Sequence, residues 1–117
     1  MAEFSTSIDN KGEVSIINLR GYLDAHTAPV LENNLVDLID KNRYKIVVDF
    51  KNLAYISSAG LGVFMAYIEK IREGNGDIKL SGMNDKIYNI FDLLGFPLLY
   101  EIFQSEDQAI QKFSEIK

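Results

Sequence analysis

The chain has 117 residues, 47% hydrophobic and 25% charged, the proportions of a folded globule with a single core. Its formal net charge is −5 and its basic residues are scattered singly, which argues against nucleic acid or an anionic membrane as the main partner. It contains no cysteine, so disulfides, thiolate catalysis and cysteine-based metal sites are excluded.

Met1-Ala2-Glu3-Phe4 lacks the basic and apolar regions of a signal peptide, and no apolar run approaches the roughly 20 residues needed to cross a bilayer. A cytoplasmic protein without membrane insertion is expected. Phe4, Thr6 and Ile8 alternate with Ser5, Ser7 and Asp9, the period of a half-buried strand. Asp9-Asn10-Lys11-Gly12 is turn chemistry, and Val14 to Leu19 reads as the second strand of a hairpin. Gly21-Tyr22-Leu23-Asp24 then leaves the strand for a loop. Thr27 is placed to cap a helix that tolerates Pro29 in its first turn and offers Leu31, Leu35, Leu38 and Ile39 to a core.

The segment from Tyr44 to Phe50 is apolar without alternation over Ile46-Val47-Val48, which predicts a central strand covered on both faces. A second helix follows, with Leu61, Phe64, Met65, Ile68 and Ile71 at helical spacing, and Gly74-Asn75-Gly76 stops it. Ile78 and Leu80 mark a short strand. Asn84 caps a third helix with the stripe Ile87, Ile90, Phe91 and Leu94, closed by Gly95 and Pro97. Leu98 to Phe103 reads as the last strand, and Ser105-Glu106-Asp107-Gln108 as a capping box. That box opens a helix bearing Ala109, Ile110, Phe113 and Ile116. Strands and helices alternate after the hairpin, so the expected fold is one α/β domain over 1–117, a mixed sheet of about five strands with four helices packed on it.

Ser57-Ser58-Ala59-Gly60-Leu61-Gly62 stands where the central strand hands over to the second helix. A helix N-terminus presents unpaired N–H groups and the positive end of a dipole, so it favours an anion. Ser58 suits the N-cap position, and it is also a hydroxyl that could carry a phosphate there. Gly60 and Gly62 keep the turn free of bulk for a partner's approach, with Leu61 expected to be partly exposed beside them.

With these elements in order, the chain resembles the STAS domain, most closely the stand-alone anti-sigma factor antagonists. Gly21-Tyr22-Leu23-Asp24 resembles the family's Gly-x-Leu-Asp segment, and Asp49-Phe50-Lys51-Asn52-Leu53 its Asp-Leu-x-x-Val stretch. Ile56-Ser57-Ser58-Ala59-Gly60-Leu61-Gly62 is similar to its phospho-acceptor loop, and Asn89 to Phe96 to its third-helix ending. The resemblance implies a STAS-like fold and a binding protein that is not an enzyme. By it Ser58 is the phosphorylated residue, and Ser57, Ala59, Gly60, Leu61, Gly62 and Asp24 contribute to partner binding. The implied partners are an anti-sigma factor with serine kinase activity, of the GHKL ATPase type, and a PP2C-type phosphatase. No cofactor and no metal are expected. Many relatives carry an acidic residue before the acceptor, where this chain has Ser57.

Other readings of the same residues stand beside this one. Ser58 can be a helix cap alone, and Ser57 a loop hydroxyl bonded to nearby backbone. Asp24 can orient the acceptor hydroxyl or close an Asx turn before the first helix. Asp49 reads as a turn or capping residue. His26 is the sole histidine and cannot form a His-based metal cluster. Tyr55, Tyr67, Tyr88 and the phenylalanines read as core or surface fill rather than a ligand box. Gly60-Leu61-Gly62 lacks the third glycine and the ribose-binding acid of a dinucleotide fingerprint. A STAS subunit of a lipid- or anion-transport complex is the alternative binding role. An enzyme using the Ser58 loop as a phosphate cradle and Asp24 as base would have neither a Walker lysine nor a metal cluster.

Overall fold

The computed structural model describes residues 3–114, so Ile116, expected on the last helix, lies outside the described residues. Strands β1 (Ser5–Lys11), β2 (Val14–Leu23), β3 (Lys45–Ile56), β4 (Asp77–Ser81) and β5 (Ile102–Phe103) form one sheet in the order β1-β2-β3-β4-β5. β1 and β2 are antiparallel, and every later pairing is parallel. Among the described residues the helices are α1 (Ala28–Asp40), α2 (Ser58–Glu73), α3 (Asp85–Leu93) and α4 (Glu106–Ser114). The hairpin turns later than expected. Lys11 pairs with Val14, leaving Gly12 and Glu13 as a two-residue loop with Gly12 at φ +62°.

β3 is the central strand that its uninterrupted apolar run predicts. Ile46 and Val48 join the main core with Leu31, Leu35, Phe64 and Ile71 beneath α1 and α2. Val47 faces the other way, joining Val14, Ile16 and Ala109 in a smaller cluster closed by Phe103, Ile110 and Phe113 around α4. The buried ammonium of Lys79 enters this second layer, paired with Asp77 at 3.0 Å and with Glu101, and lying 4.6 Å from the centre of the Phe113 ring. Carboxylates and a π face replace the water that this cation loses on burial.

Three expectations are corrected. β3 does not end at Phe50 but continues to Ile56, with register shifts against β2 at Asn18/Arg20 and Gly21/Tyr22. Each shift adds one residue to β3, so its buried positions become Phe50, Leu53 and Ile56, spaced by three instead of two. The expected strand from Leu98 to Phe103 is mostly not a strand. Gly95, at φ +79°, turns the chain into a 3-10 turn over Phe96–Leu98, and only Ile102 and Phe103 pair with β4. Met65 and Leu94, placed on the core stripes, are exposed, and Val63 takes a buried position on α2 instead.

The chain turns at Phe96 because two aromatic anchors gain by it. Phe96 meets Phe91 edge-on at 4.8 Å and stacks on Tyr100 at 5.5 Å. Tyr100 then donates its phenol to the Phe64 carbonyl of α2 at 2.6 Å. Burial pushes the Tyr100 phenol well above the ordinary tyrosine range, so it stays protonated as a donor. Phe91 also meets Phe50 and Phe64 within this cluster. Phe91→Ala is expected to cost about 3–5 kcal/mol of unfolding free energy, read as a lower urea midpoint at unchanged slope.

Candidate functional site

The last residues of β2 and β3 build the seat for α2. Leu23 and Ile56 are buried at the two strand ends, and the Ser57 N–H donates to the Leu23 carbonyl at 2.9 Å. This bond ties the loop to the neighbouring strand before the helix begins. Gly60 then lies flat on the seat. A methyl group there would come within 2.7 Å of the Leu23 side chain and 3.0 Å of Ile56. Gly60 therefore serves close internal packing, not the approach of a partner. Gly62 is the open one: a methyl group on it would meet nothing within 4 Å.

The N-cap is Ser57, not Ser58. Ser57 is extended (φ −101°, ψ 175°) and its carbonyl accepts the first helical bond, from the Leu61 N–H at 3.1 Å. Its hydroxyl caps nothing. The oxygen is shielded from solvent and has no hydrogen-bond partner, so the local backbone bond expected of it is not made. Ser58 is the first residue of the helix and is exposed, as is Ala59. The N–H groups of Ser58, Ala59 and Gly60 have no acceptor a turn earlier, and no side chain caps them. An exposed hydroxyl thus stands on a first turn with uncapped donors, at the positive end of a 16-residue helix. Leu61, expected at the surface, is buried at 7% exposure and anchors the turn from within.

Asp24 closes a local turn. Its carboxylate accepts from the His26 N–H at 3.0 Å and from the Thr27 N–H at 3.2 Å. Thr27 occupies the cap of α1, but its hydroxyl points back, donating to the Tyr22 carbonyl and accepting from the Asp24 N–H, each at 2.8 Å. Between the two readings of Asp24, these bonds are those of the turn. Asp49 lies inside β3, where it accepts from the Ser81 hydroxyl at 3.3 Å and the Lys51 N–H at 3.4 Å.

One feature of this end escapes a reading by composition. Tyr22 and Tyr55 are direct partners across β2 and β3, with ring centres 5.7 Å apart, and both are exposed. The signal was in the spacing: with Leu23 and Ile56 facing inward, the residue before each must face outward.

The STAS domain model matches residues 5–109, nearly the whole described chain. The chain belongs to the STAS domain family. It is 26% identical over 102 residues to the anti-sigma-B factor antagonist of Bacillus subtilis, covering 87% of this chain and 92% of that protein. An anti-sigma factor antagonist from Mycobacterium paratuberculosis superposes with a TM-score of 0.89 at 20% identity, over 97% of this chain and 96% of that one. The Bacillus cell fate determinant SpoIIAA in its phosphorylated form superposes with a TM-score of 0.74 at 19% identity, over 93% and 99% of the two chains. At these identities the structural likeness is one of fold, and the STAS fold is the one expected from the motifs. Among the described residues no helix is long and apolar enough to cross a membrane.

The two glycines of the motif separate by experiment. Gly60→Ala is expected to destabilise the protein by about 1–3 kcal/mol through the clash with Leu23. Gly62→Ala is expected to stabilise it by about 0.4–1 kcal/mol, because the helix interior there is open. Urea unfolding of both variants reads the opposite signs.

Proposed function

We propose that this protein is an anti-sigma factor antagonist switched by phosphorylation of Ser58. The observation that carries the reading is an exposed Ser58 on a helix turn whose donors nothing caps. Membership of the STAS family and relatives named as anti-sigma factor antagonists support it. The partner is an anti-sigma factor that is also a serine kinase of the GHKL ATPase type, and a PP2C-type phosphatase reverses the modification. The protein is the substrate and not a catalyst. The Ser58 oxygen attacks the γ-phosphorus of ATP, the bond to the bridging oxygen breaks, ADP leaves, and the hydroxyl proton passes to a base on the kinase.

The consequence differs inside the molecule and at its surface. A phosphoserine adds about −1.5 to −2 charges. At a helix N-terminus the dipole and free N–H groups favour such an anion by roughly 0.3–1 kcal/mol, so the fold tolerates it. A docked partner must bury the same dianion. A mispaired buried charge costs about 2–5 kcal/mol, or roughly thirtyfold to several-thousandfold in affinity. Unmodified protein binds the anti-sigma factor and frees the sigma factor, and modified protein lets go.

Within the loop the roles divide by exposure. Ser58, Ala59 and Gly62 offer surface, while Gly60 and Leu61 hold the turn in shape for the partner. Ser57 and Asp24 complete the contact from the two strand ends, and the encounter takes place in the cytoplasm. Intact-mass analysis and peptide mapping after incubation with the kinase and ATP test the acceptor. One phosphate on the wild type and none on Ser58→Ala is expected. Ser58→Ala keeps its affinity for the anti-sigma factor, and Ser58→Asp loses about tenfold or more at a nearly unchanged melting temperature. Equal affinity of wild type, Ser58→Ala and Ser58→Asp would sink the switch.

A further inference from the structure

β1 lies at the edge of the sheet and is paired on one side only, with β2. Its hairpin closes through Gly12 and Glu13, so the flanking pair Lys11–Val14 exchanges both backbone bonds. Antiparallel pairs alternate. Asp9, Ser7 and Ser5 therefore also bond inward, and Thr6, Ile8 and Asn10 turn their N–H and C=O groups to the open edge. The Ser15 hydroxyl bond to Asn10 at 2.8 Å agrees, since side chains come closest at pairs whose backbones do not bond. Among the described residues no loop or side chain bonds these outward groups. The usual protections of an edge are missing as well. β1 holds no proline and no bulge, its three outward-bonding residues carry no charge, and Ile8 stands 37% exposed at its centre.

We propose that β1 is a self-association surface, pairing antiparallel with β1 of a second copy of this chain about a two-fold axis at Ile8. The bonding pattern selects that occupant. With Ile8 facing Ile8, Thr6 faces Asn10 and Ser5 faces Lys11 of the second copy, so all seven residues of β1 are paired. Every outward group then meets its complement. The two Ile8 residues exchange two bonds, and Thr6 and Asn10 exchange two more on each side of the axis, six in all. Moving the axis to Ser7 or Asp9 sets Asn10 against Phe4 or Thr6 against Gly12, both outside the strand, and leaves four. β1 is thus its own best complement.

The fold leaves room for the second copy. A two-fold axis between paired edges keeps like faces together, so the two α1 helices lie on one side of a continuous sheet. Each α1 touches both β1 and β2. The two helices therefore stand about two strand spacings, roughly 10 Å, apart, the distance at which helices pack. The flank of α1 that meets there is the one away from α2. Glu32 marks the α2 side through its bond from Tyr67, and Val30, about 200° round the helix from it, is 41% exposed. Ile8 sits opposite Ile17 of the main core and so projects on the same side of the sheet as α1. Ile8 and Val30, left at the surface by one chain, are covered by their counterparts in the other. The opposite edge, β5, pairs over two residues only and offers no such strip, so assembly closes at two copies. α2 packs over β3 and β4, away from the axis, and the pairing stands whether or not Ser58 is the acceptor.

The strip is narrower than an ordinary interface of about 800 Å² a side, so the dimer is weak, with a Kd of roughly 0.1 mM. Sedimentation equilibrium of the full chain from about 10 µM to about 1 mM is expected to show monomer and dimer and no larger species. Each copy carries a net charge of −5, and the two Asp9 carboxylates lie about 7–8 Å apart on the diagonal, so added salt strengthens the dimer. Ile8→Pro deletes the two N–H groups at the axis, and an edge strand tolerates proline, so Kd rises about tenfold or more. Should that variant melt early, Ile8→Lys sets two ammonium groups face to face and repeats the measurement. The chain has no cysteine, so an introduced one reports alone. Across the axis the Cα atoms of Ile8→Cys stand about 5.5 Å apart, and oxidation forms a disulfide dimer. Thr6→Cys, about 14 Å from its mate, does not cross-link. A monomer throughout the concentration range overturns the proposal. So does a dimer whose Kd is unchanged in both Ile8→Pro and Ile8→Lys, or one in which Thr6→Cys cross-links as readily as Ile8→Cys.

Discussion

The contact between the Gly60 backbone and the side chains of Leu23 and Ile56 fixes where α2 begins, and the site depends on it. With Gly60 resting on two strand ends, the first turn cannot rise from the sheet without opening a void in the core. With Leu61 buried beside it, the turn cannot rotate either. Those two constraints push Ser58, Ala59 and Gly62 outward. Exposure of Ser58 is thus a product of tight packing beneath it, by Gly60 and Leu61.

The uncapped N-terminus belongs to the same design. A serine at the N-cap ordinarily accepts a bond from the first turn and contributes about 1 kcal/mol to the helix. Ser57 does not, and its oxygen is shielded without a partner. The fold forgoes a side-chain cap here and at α1, where the Ala28 and Val30 N–H groups instead bond the Asp24 and Thr27 carbonyls, while α3 and α4 keep theirs. Asn84 accepts from the Ile87 N–H at 2.8 Å, and Ser105 and Gln108 exchange the bonds of a capping box. Free donors at α2 alone single it out from the other helix starts.

Much of this architecture was legible in the residues. The unbroken apolar run Ile46-Val47-Val48 marked the central strand because it feeds two cores at once. Asn84, Gly95 and the Ser105 box marked helix limits because each acts through local bonds. What could not be read depended on distant partners. Phe50, Leu53 and Ile56 look like a loop because their spacing of three matches neither strand nor ordinary connection, and only the two bulges against β2 make a strand of it. Leu98 and Leu99 suit a strand by composition, but the Phe96–Tyr100 stack and the Tyr100 bond to α2 turn the chain away from the sheet. At the loop, the helix start was legible to within one residue: the N-cap is Ser57 where Ser58 was expected. The exchange between Ser57 and Ser58 depends on the bond to Leu23, which no spacing rule contains.

α2 is held along its whole length. Gly60 is pressed on the strand ends, Tyr67 donates to Glu32 of α1 at 2.7 Å, Tyr100 grips the Phe64 carbonyl, and the Arg72 guanidinium bonds Asp77 at 2.9 Å and the Leu99 carbonyl. A rod fastened at so many points behaves as a peg rather than a spring. Such a peg holds the first turn of α2 in register with the strand ends and with α1, so the tip presents its side chains on a fixed post.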